Sequence, residues 1–190
     1  MVSMLNFEDA IIAYVTERWE QKAKNKVGRT IIQKLCYFLK HEGVPMNYKF
    51  KMYHFGPFSQ ELFFRMEELE SDNVIKDELA EPERSAYVLG ENAEEAVDNF
   101  SESLQKYEQN VNGLIDKLAA FYKRPEELEL LATIHYFYSA RLKFNKRPPS
   151  REDIIEETIE VKNKFTEEQV EKAYDFLESS GLLKKDILEG

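Results

Sequence analysis

Residues 28–75 read GRTIIQKLCYFLKHEGVPMNYKFKMYHFGPFSQELFFRMEELESDNVI, and the order of patterns within them decides the fold. Apolar residues recur at helical spacing over Arg29–His41. Alternating residues follow over Tyr48–His54 and predict a half-buried strand. After the pair Gly56-Pro57, a second apolar stripe begins and predicts an amphipathic helix over Phe58–Glu70. The stretch therefore predicts a helix, a strand, a turn and a second helix in succession.

Alternation assigns the side chains of the predicted strand to two sides. Tyr48, Phe50, Met52 and His54 are expected to point inward, and Lys49, Lys51 and Tyr53 outward. Gly56 and Pro57 form the structural turn, because only glycine freely takes positive φ and proline presets φ for the first turn of a helix. We also expect Leu35, Phe38, Leu62 and Met66 to be buried together.

Further patterns extend this organisation along the chain. We expect a helix over residues 7–24 with Asn6 as its N-cap, and N-caps at Ser150 and Thr166 for later helices. Short strands are predicted at Val74-Ile75 and Tyr87–Leu89, and helices at Ala93–Gln109, at Val111–Tyr122 and from Pro125 onward. The predicted fold class is mainly α with a small antiparallel β element. It comprises a winged-helix-like unit over residues 1–90 and a helical unit over 91–190, or the two form one compact domain.

The helix motif KLCYF (residues 34–38) followed by the Gly56-Pro57 turn resembles the YwgA-like family of bacterial and archaeal proteins. More distantly it resembles the Panacea domains of SocA-like antitoxins. The segments LELLATIHYFY and KFTEEQVEKAYDFLE extend the YwgA-like resemblance toward the C-terminus. The resemblance implies a non-catalytic protein, an antitoxin-like protein-binding role, and a place in the core for Phe50 and Phe55.

Composition limits the classes of protein to consider. The chain has 190 residues, 43% of them hydrophobic, and no apolar run long enough for a membrane span, so we expect a cytoplasmic protein without membrane contact. Net charge is −10, yet the segment 18–51 holds nine basic and two acidic residues and is therefore about +7. Such a segment is typical of a nucleic-acid or acidic-partner surface, or of one that pairs with acidic residues of the same chain.

Residue types that carry catalysis or bind cofactors are sparse. The single cysteine, Cys36, lies among apolar helical residues, where a buried structural thiol is the usual case. His41, His54 and His135 are isolated in sequence, and glycine-rich phosphate loops are absent. We therefore predict no catalytic, metal-binding or cofactor-binding residues.

Two binding hypotheses remain, with an enzyme of unknown class third. The first is an interaction or regulatory protein that binds a protein partner, which includes a second copy of the chain as a homodimer. Its surface is expected near Tyr53, His54, Phe55 and Arg65, with Lys49 and Lys51 beside them, because exposed aromatic and arginine side chains carry much of the energy of interfaces. The second is a winged-helix-type regulator that binds nucleic acid through the helix Phe58–Glu70 and the segment 18–51. That helix has one cation, Arg65, among four glutamates, which weakens the second hypothesis.

Overall fold

The structure is a computed structural model that describes residues 4–82 and 84–185. Within them the chain is mostly helical, with two small antiparallel sheets of two strands each. In chain order the elements are α1 (Phe7–Ala23), α2 (Arg29–His41), β1 (Lys51–Tyr53), β2 (Gly56–Phe58), α3 (Gln60–Ser71), β3 (Ile75–Asp77), β4 (Tyr87–Leu89), α4 (Ala93–Asp98), α5 (Ser101–Leu118), a 3₁₀ turn (Ala119–Phe121), α6 (Pro125–Asn145), α7 (Arg151–Val161) and α8 (Glu167–Ser179). The predicted fold class is confirmed at this level.

The chain divides into two compact units. Unit 1 comprises Met1–Phe50 and Phe58–Pro125, and unit 2 comprises Lys51–Pro57 and Glu126–Gly190. The division does not coincide with the predicted boundary at residues 90 and 91. The short segment Lys51–Pro57 belongs with α6, α7 and α8 although it is far from them in sequence.

Helix α1 is the central element of unit 1. Asn6 caps it through a reciprocal pair of bonds in which the Asp9 amide donates to Asn6 at 3.2 Å and the Asn6 amide donates to Asp9 at 2.7 Å. The helix packs against α2, α4, α5 and β4. Its buried residues therefore lie around most of its circumference, from Ile11 to Trp19.

The remaining core of unit 1 follows the predicted pattern. Leu35, Phe38, Leu62 and Met66 are all buried. Strands β3 and β4 pair antiparallel with Ile75 opposite Leu89, as the two short apolar runs predicted. The amide of Tyr87 also donates to the carbonyl oxygen of Val27 at 2.9 Å, which ties β4 to the start of α2.

The predicted division of residues 93–122 is wrong. The sequence predicted a break beside Asn110, whereas α4 ends at Asp98 and α5 runs without interruption from Ser101 to Leu118. Asn110 remains helical because its side-chain amide donates to the carbonyl oxygen of Glu42 at 2.9 Å and so does not compete for the backbone of its own helix.

Three helices form most of unit 2. Helix α6 begins at Pro125 as predicted, and α7 packs against α8. Ser150 and Thr166 cap α7 and α8, and Thr166 makes a capping box with Gln169, again as predicted. Gly181, with a φ of 73°, follows the end of α8.

Candidate functional site

The Lys51–Pro57 turn of unit 2 carries two exposed aromatic side chains, Tyr53 and Phe55. It consists of β1, the two linking residues His54 and Phe55, and the first two residues of β2. Gly56 has a φ of 81°, and a Cβ atom there would lie 3.1 Å from Oγ1 of Thr133 and 3.3 Å from the carbonyl oxygen of Glu129. The predicted backbone role of Gly56 is confirmed, and it lets the turn approach α6 closely.

The prediction for Pro57 is wrong. Pro57 lies in β2 and is buried, whereas α3 begins at Gln60 with Ser59 as its N-cap. The side chain of Ser59 accepts a bond from the amide of Leu62 at 3.3 Å, which supplies the helix start that we had assigned to proline.

The predicted strand Tyr48–His54 is also shorter than expected. Regular pairing covers only Lys51–Tyr53, although Tyr48 is buried and Lys49 exposed as the alternation predicts. The alternation fails after Tyr53, because the chain turns there. His54 and Phe55 are both exposed, so Phe55 is not in the core that the Panacea resemblance implied.

A cluster of three charged residues, the Glu129 cluster, holds the turn. Glu129 on α6 and Lys162 at the carboxyl end of α7 are buried, with 2% and 6% of their side chains exposed, and Nζ of Lys162 lies 3.0 Å from Oε1 of Glu129. The same ammonium group donates to the carbonyl oxygens of Tyr53, at 3.3 Å, and of His54. Lys164, 44% exposed, binds Oε2 of Glu129 at 2.8 Å.

The Glu129 cluster thus fixes the backbone of the turn while its aromatic side chains face solvent. Tyr53 is 53% exposed and Phe55 66% exposed. Beside them lies a groove of about 500 Å³, lined by residues 52–55 on one side and 161–164 on the other. Nζ of Lys164 lies 5.7 Å from the centre of the Phe55 ring, within the range of a cation–π contact.

The other predicted interaction residues have different surroundings. Lys49 and Lys51 are exposed, and the amide of Lys49 donates to Glu61 at 3.1 Å. Arg65 lies on α3 of unit 1, where it makes a bidentate ion pair with Asp9 and contacts Glu68. The hydrogen bond with Asp9 raises the pKa of Arg65 further above its already high value. Arg65 is therefore committed to the interior of unit 1 rather than available for a partner.

Several cations of the segment 18–51 make side-chain contacts within unit 1. Arg18 pairs with Glu108 at 3.4 Å, Lys22 pairs with Asp116 at 2.6 Å, and Lys26 pairs with Glu78. Lys40 donates to the carbonyl oxygen of Tyr48 at 2.7 Å. These contacts match the alternative in which the basic segment faces acidic residues of its own chain.

Of the residues considered for catalysis or metal binding, His54 lies in the turn itself and Cys36 lies in unit 1. Cys36 is fully buried, and burial raises the pKa of its thiol to about 12. Over residues 4–82 and 84–185, no three His, Cys, Asp or Glu side chains form a group that could hold a metal ion. In the same described ranges, none of the helices is long and apolar enough to cross a bilayer.

Sequence reasoning missed Glu129, Lys162 and Lys164. One signal was present, because Glu129 is the only Asp, Glu, Lys or Arg in the mostly apolar and aromatic run of residues 128–138. A lone acid within a buried helix needs a cationic partner. The partner itself could not be chosen from sequence, since Lys162 lies 33 positions further on among many charged residues.

Fold and site together define a mostly helical protein with an aromatic turn that a buried ion cluster holds in place. The chain is similar to a protein named "Uncharacterized protein YwgA" from Bacillus subtilis (strain 168). The two are 27% identical over 152 residues, which cover 80% of this chain and 86% of that protein. This similarity supports the resemblance to YwgA-like proteins. No family model matches the chain.

Proposed function

We propose that this chain is a non-catalytic interaction or regulatory protein that binds a protein partner through the Lys51–Pro57 turn. The observation that carries the proposal is the combination of exposed Tyr53 and Phe55 side chains with a backbone held by buried Lys162. Aromatic side chains on a fixed backbone lose less conformational entropy on binding, so a smaller part of the free energy gained by burying them is offset.

The distant resemblance to Panacea domains supplies a specific form of this proposal, in which the chain is a cytoplasmic, antitoxin-like protein of a prokaryote that binds and restrains a second protein. A homodimer that uses the same turn is the simplest form of protein partner. A nucleic-acid-binding, winged-helix-type regulator receives less support, because Arg18, Lys22 and Lys26 of the basic segment already pair with acidic residues of the same chain.

A co-purification experiment with matched variants tests the proposal. Tagged wild-type protein and the double variant Tyr53→Ala, Phe55→Ala would be expressed in the native host, and bound proteins quantified by mass spectrometry. We expect the double variant to lose a specific partner at least about tenfold, since truncating two interface aromatics removes more than 1.4 kcal/mol.

Phe64→Ala provides the control, because Phe64 is 51% exposed on α3 of unit 1. This variant should retain the partner. Light scattering of the purified wild-type chain would identify a homodimer. Equal partner recovery with wild type and the double variant would refute the turn as the binding surface.

A further inference from the structure

The charges of the Glu129 cluster do not balance. One carboxylate, Glu129, faces two ammonium groups, those of Lys162 at 3.0 Å and Lys164 at 2.8 Å. Among the described residues no other acidic side chain contacts either lysine. The carboxyl end of α7 adds about half a negative charge. The cluster therefore keeps a positive balance next to the groove.

The groove presents this positive charge beside apolar and aromatic side chains. Its lining, residues 52–55 and 161–164, contains no Asp or Glu. Lys164 is 44% exposed and contacts the Phe55 ring, and the Val161 side chain across the groove is 50% exposed. A cation bordered by a ring and an aliphatic side chain suits an anionic group with an apolar neighbour.

We infer that the groove binds a peptide segment of a protein partner that places an Asp or Glu side chain on Lys164 and an adjacent aromatic or aliphatic side chain against Phe55 and Val161. The inference rests on the proposed function and names the chemistry of the partner. A peptide fits better than a nucleic acid, since the chain carries a net charge of −10 and repels a polyanion far more strongly than a single carboxylate.

Selection from a random dodecapeptide library displayed on phage tests the inference with the intact chain. Wild type, Lys164→Gln and Lys164→Arg would be compared, with Lys143→Gln as control because Lys143 is an exposed lysine of the same unit. We expect wild type, Lys164→Arg and Lys143→Gln to enrich peptides with Asp or Glu beside an apolar residue, and Lys164→Gln to lose that acidic preference.

The most enriched peptide would then be synthesised in two forms, one with its Asp or Glu and one with Asn or Gln at that position. Fluorescence anisotropy should show about tenfold weaker binding of the amide to wild type and no difference between the two peptides with Lys164→Gln. The thermal midpoint of Lys164→Gln should stay within about 4 °C of wild type, since Lys164 is 44% exposed and buried Glu129 keeps Lys162 as its countercharge.

Each outcome has a separate meaning. The enriched peptides could require Tyr53 and Phe55 for binding but show no enrichment of Asp or Glu. That result would overturn the inference and leave the proposed function standing. Peptides that bind equally to the Tyr53→Ala, Phe55→Ala variant would overturn the proposed function. Preferential binding of a labelled single-stranded oligonucleotide, or occlusion of the groove in a dimer of the chain, would also overturn the inference.

Discussion

Each unit buries an acidic side chain on a helix, and the two carboxylates have different structural roles. In unit 1, Asp9 pairs with Arg65 through bonds of 2.8 and 2.6 Å that join α1 to α3, and Arg65 also pairs with Glu68 at 2.5 Å. In unit 2, Glu129 is shared between Lys162 and Lys164, and Lys162 also holds two carbonyl oxygens of the turn. In unit 1 one cation contacts two acids and joins two helices, whereas in unit 2 one acid contacts two cations, fixes a turn and leaves positive charge for a ligand.

The largest loss of stability is expected when Glu129, the acid shared by two lysines, is substituted. Glu129→Gln leaves buried Lys162 without its countercharge, so the free energy of unfolding should fall by about 3–5 kcal/mol. Urea unfolding followed by circular dichroism measures it. The double variant Glu129→Gln, Lys162→Met removes both charges and should recover part of the loss. A double variant that is less stable than Glu129→Gln alone would contradict this account.

Loss of the Asp9–Arg65 pair of unit 1 should lower the free energy of unfolding somewhat less. Arg65→Ala leaves Asp9 buried but still hydrogen-bonded to the Asn6 amide, so we expect a loss of about 3 kcal/mol in urea unfolding. Arg65→Lys keeps the charge and loses the bidentate geometry, and should cost about half as much. Equal stability of Arg65→Ala and wild type would show that the pair contributes nothing to unit 1.

The backbone of the turn provides a third test. Gly56→Ala forces a side chain into a positive φ and against α6, so we expect a loss of about 2 kcal/mol in thermal unfolding monitored by circular dichroism. Gly113→Ala is the matched control, since Gly113 lies within α5 with open space around it and should gain about 0.5–1 kcal/mol. An unchanged Gly56→Ala protein would mean that the turn does not depend on its approach to α6.

The smallest effect on stability is expected at the aromatic surface. Because Tyr53 and Phe55 are mostly exposed, the variant Tyr53→Ala, Phe55→Ala should change the free energy of unfolding by no more than about 0.5 kcal/mol. Calorimetric melting of the double variant against wild type measures it. A loss of several kcal/mol would show that these rings belong to the core of unit 2 after all.

Features that depend on neighbours in sequence were predictable. The N-caps Asn6, Ser150 and Thr166 bond to residues three positions away, and the positive φ of Gly56 follows from its missing side chain. The predicted role of Pro57 failed because another local signal, Ser59, starts α3 two residues later. Both residues are local signals for a helix start, and the structure uses Ser59 rather than Pro57.

Features that depend on distant pairing were not predictable. Arg65 seemed suitable as an interface anchor, yet its partner Asp9 lies 56 positions away on another helix. Lys162 and Lys164 were indistinguishable in sequence from charges on solvated helix faces, and the isolated charge of Glu129 did not reveal its partners, because packing decides which charges meet. The aromatic part of the candidate site could therefore be predicted, whereas the cluster that supports it could not.

The 108 positions between His54 and Lys162 have a consequence for biosynthesis. A ribosome adding about 5–20 residues per second synthesises the turn roughly 5–20 s before the lysine that holds it. Throughout that interval the emerging polypeptide carries Tyr53 and Phe55 on an unsupported backbone. A partner that recognises the held turn would thus distinguish a nascent chain from one whose α7 has already been translated and docked.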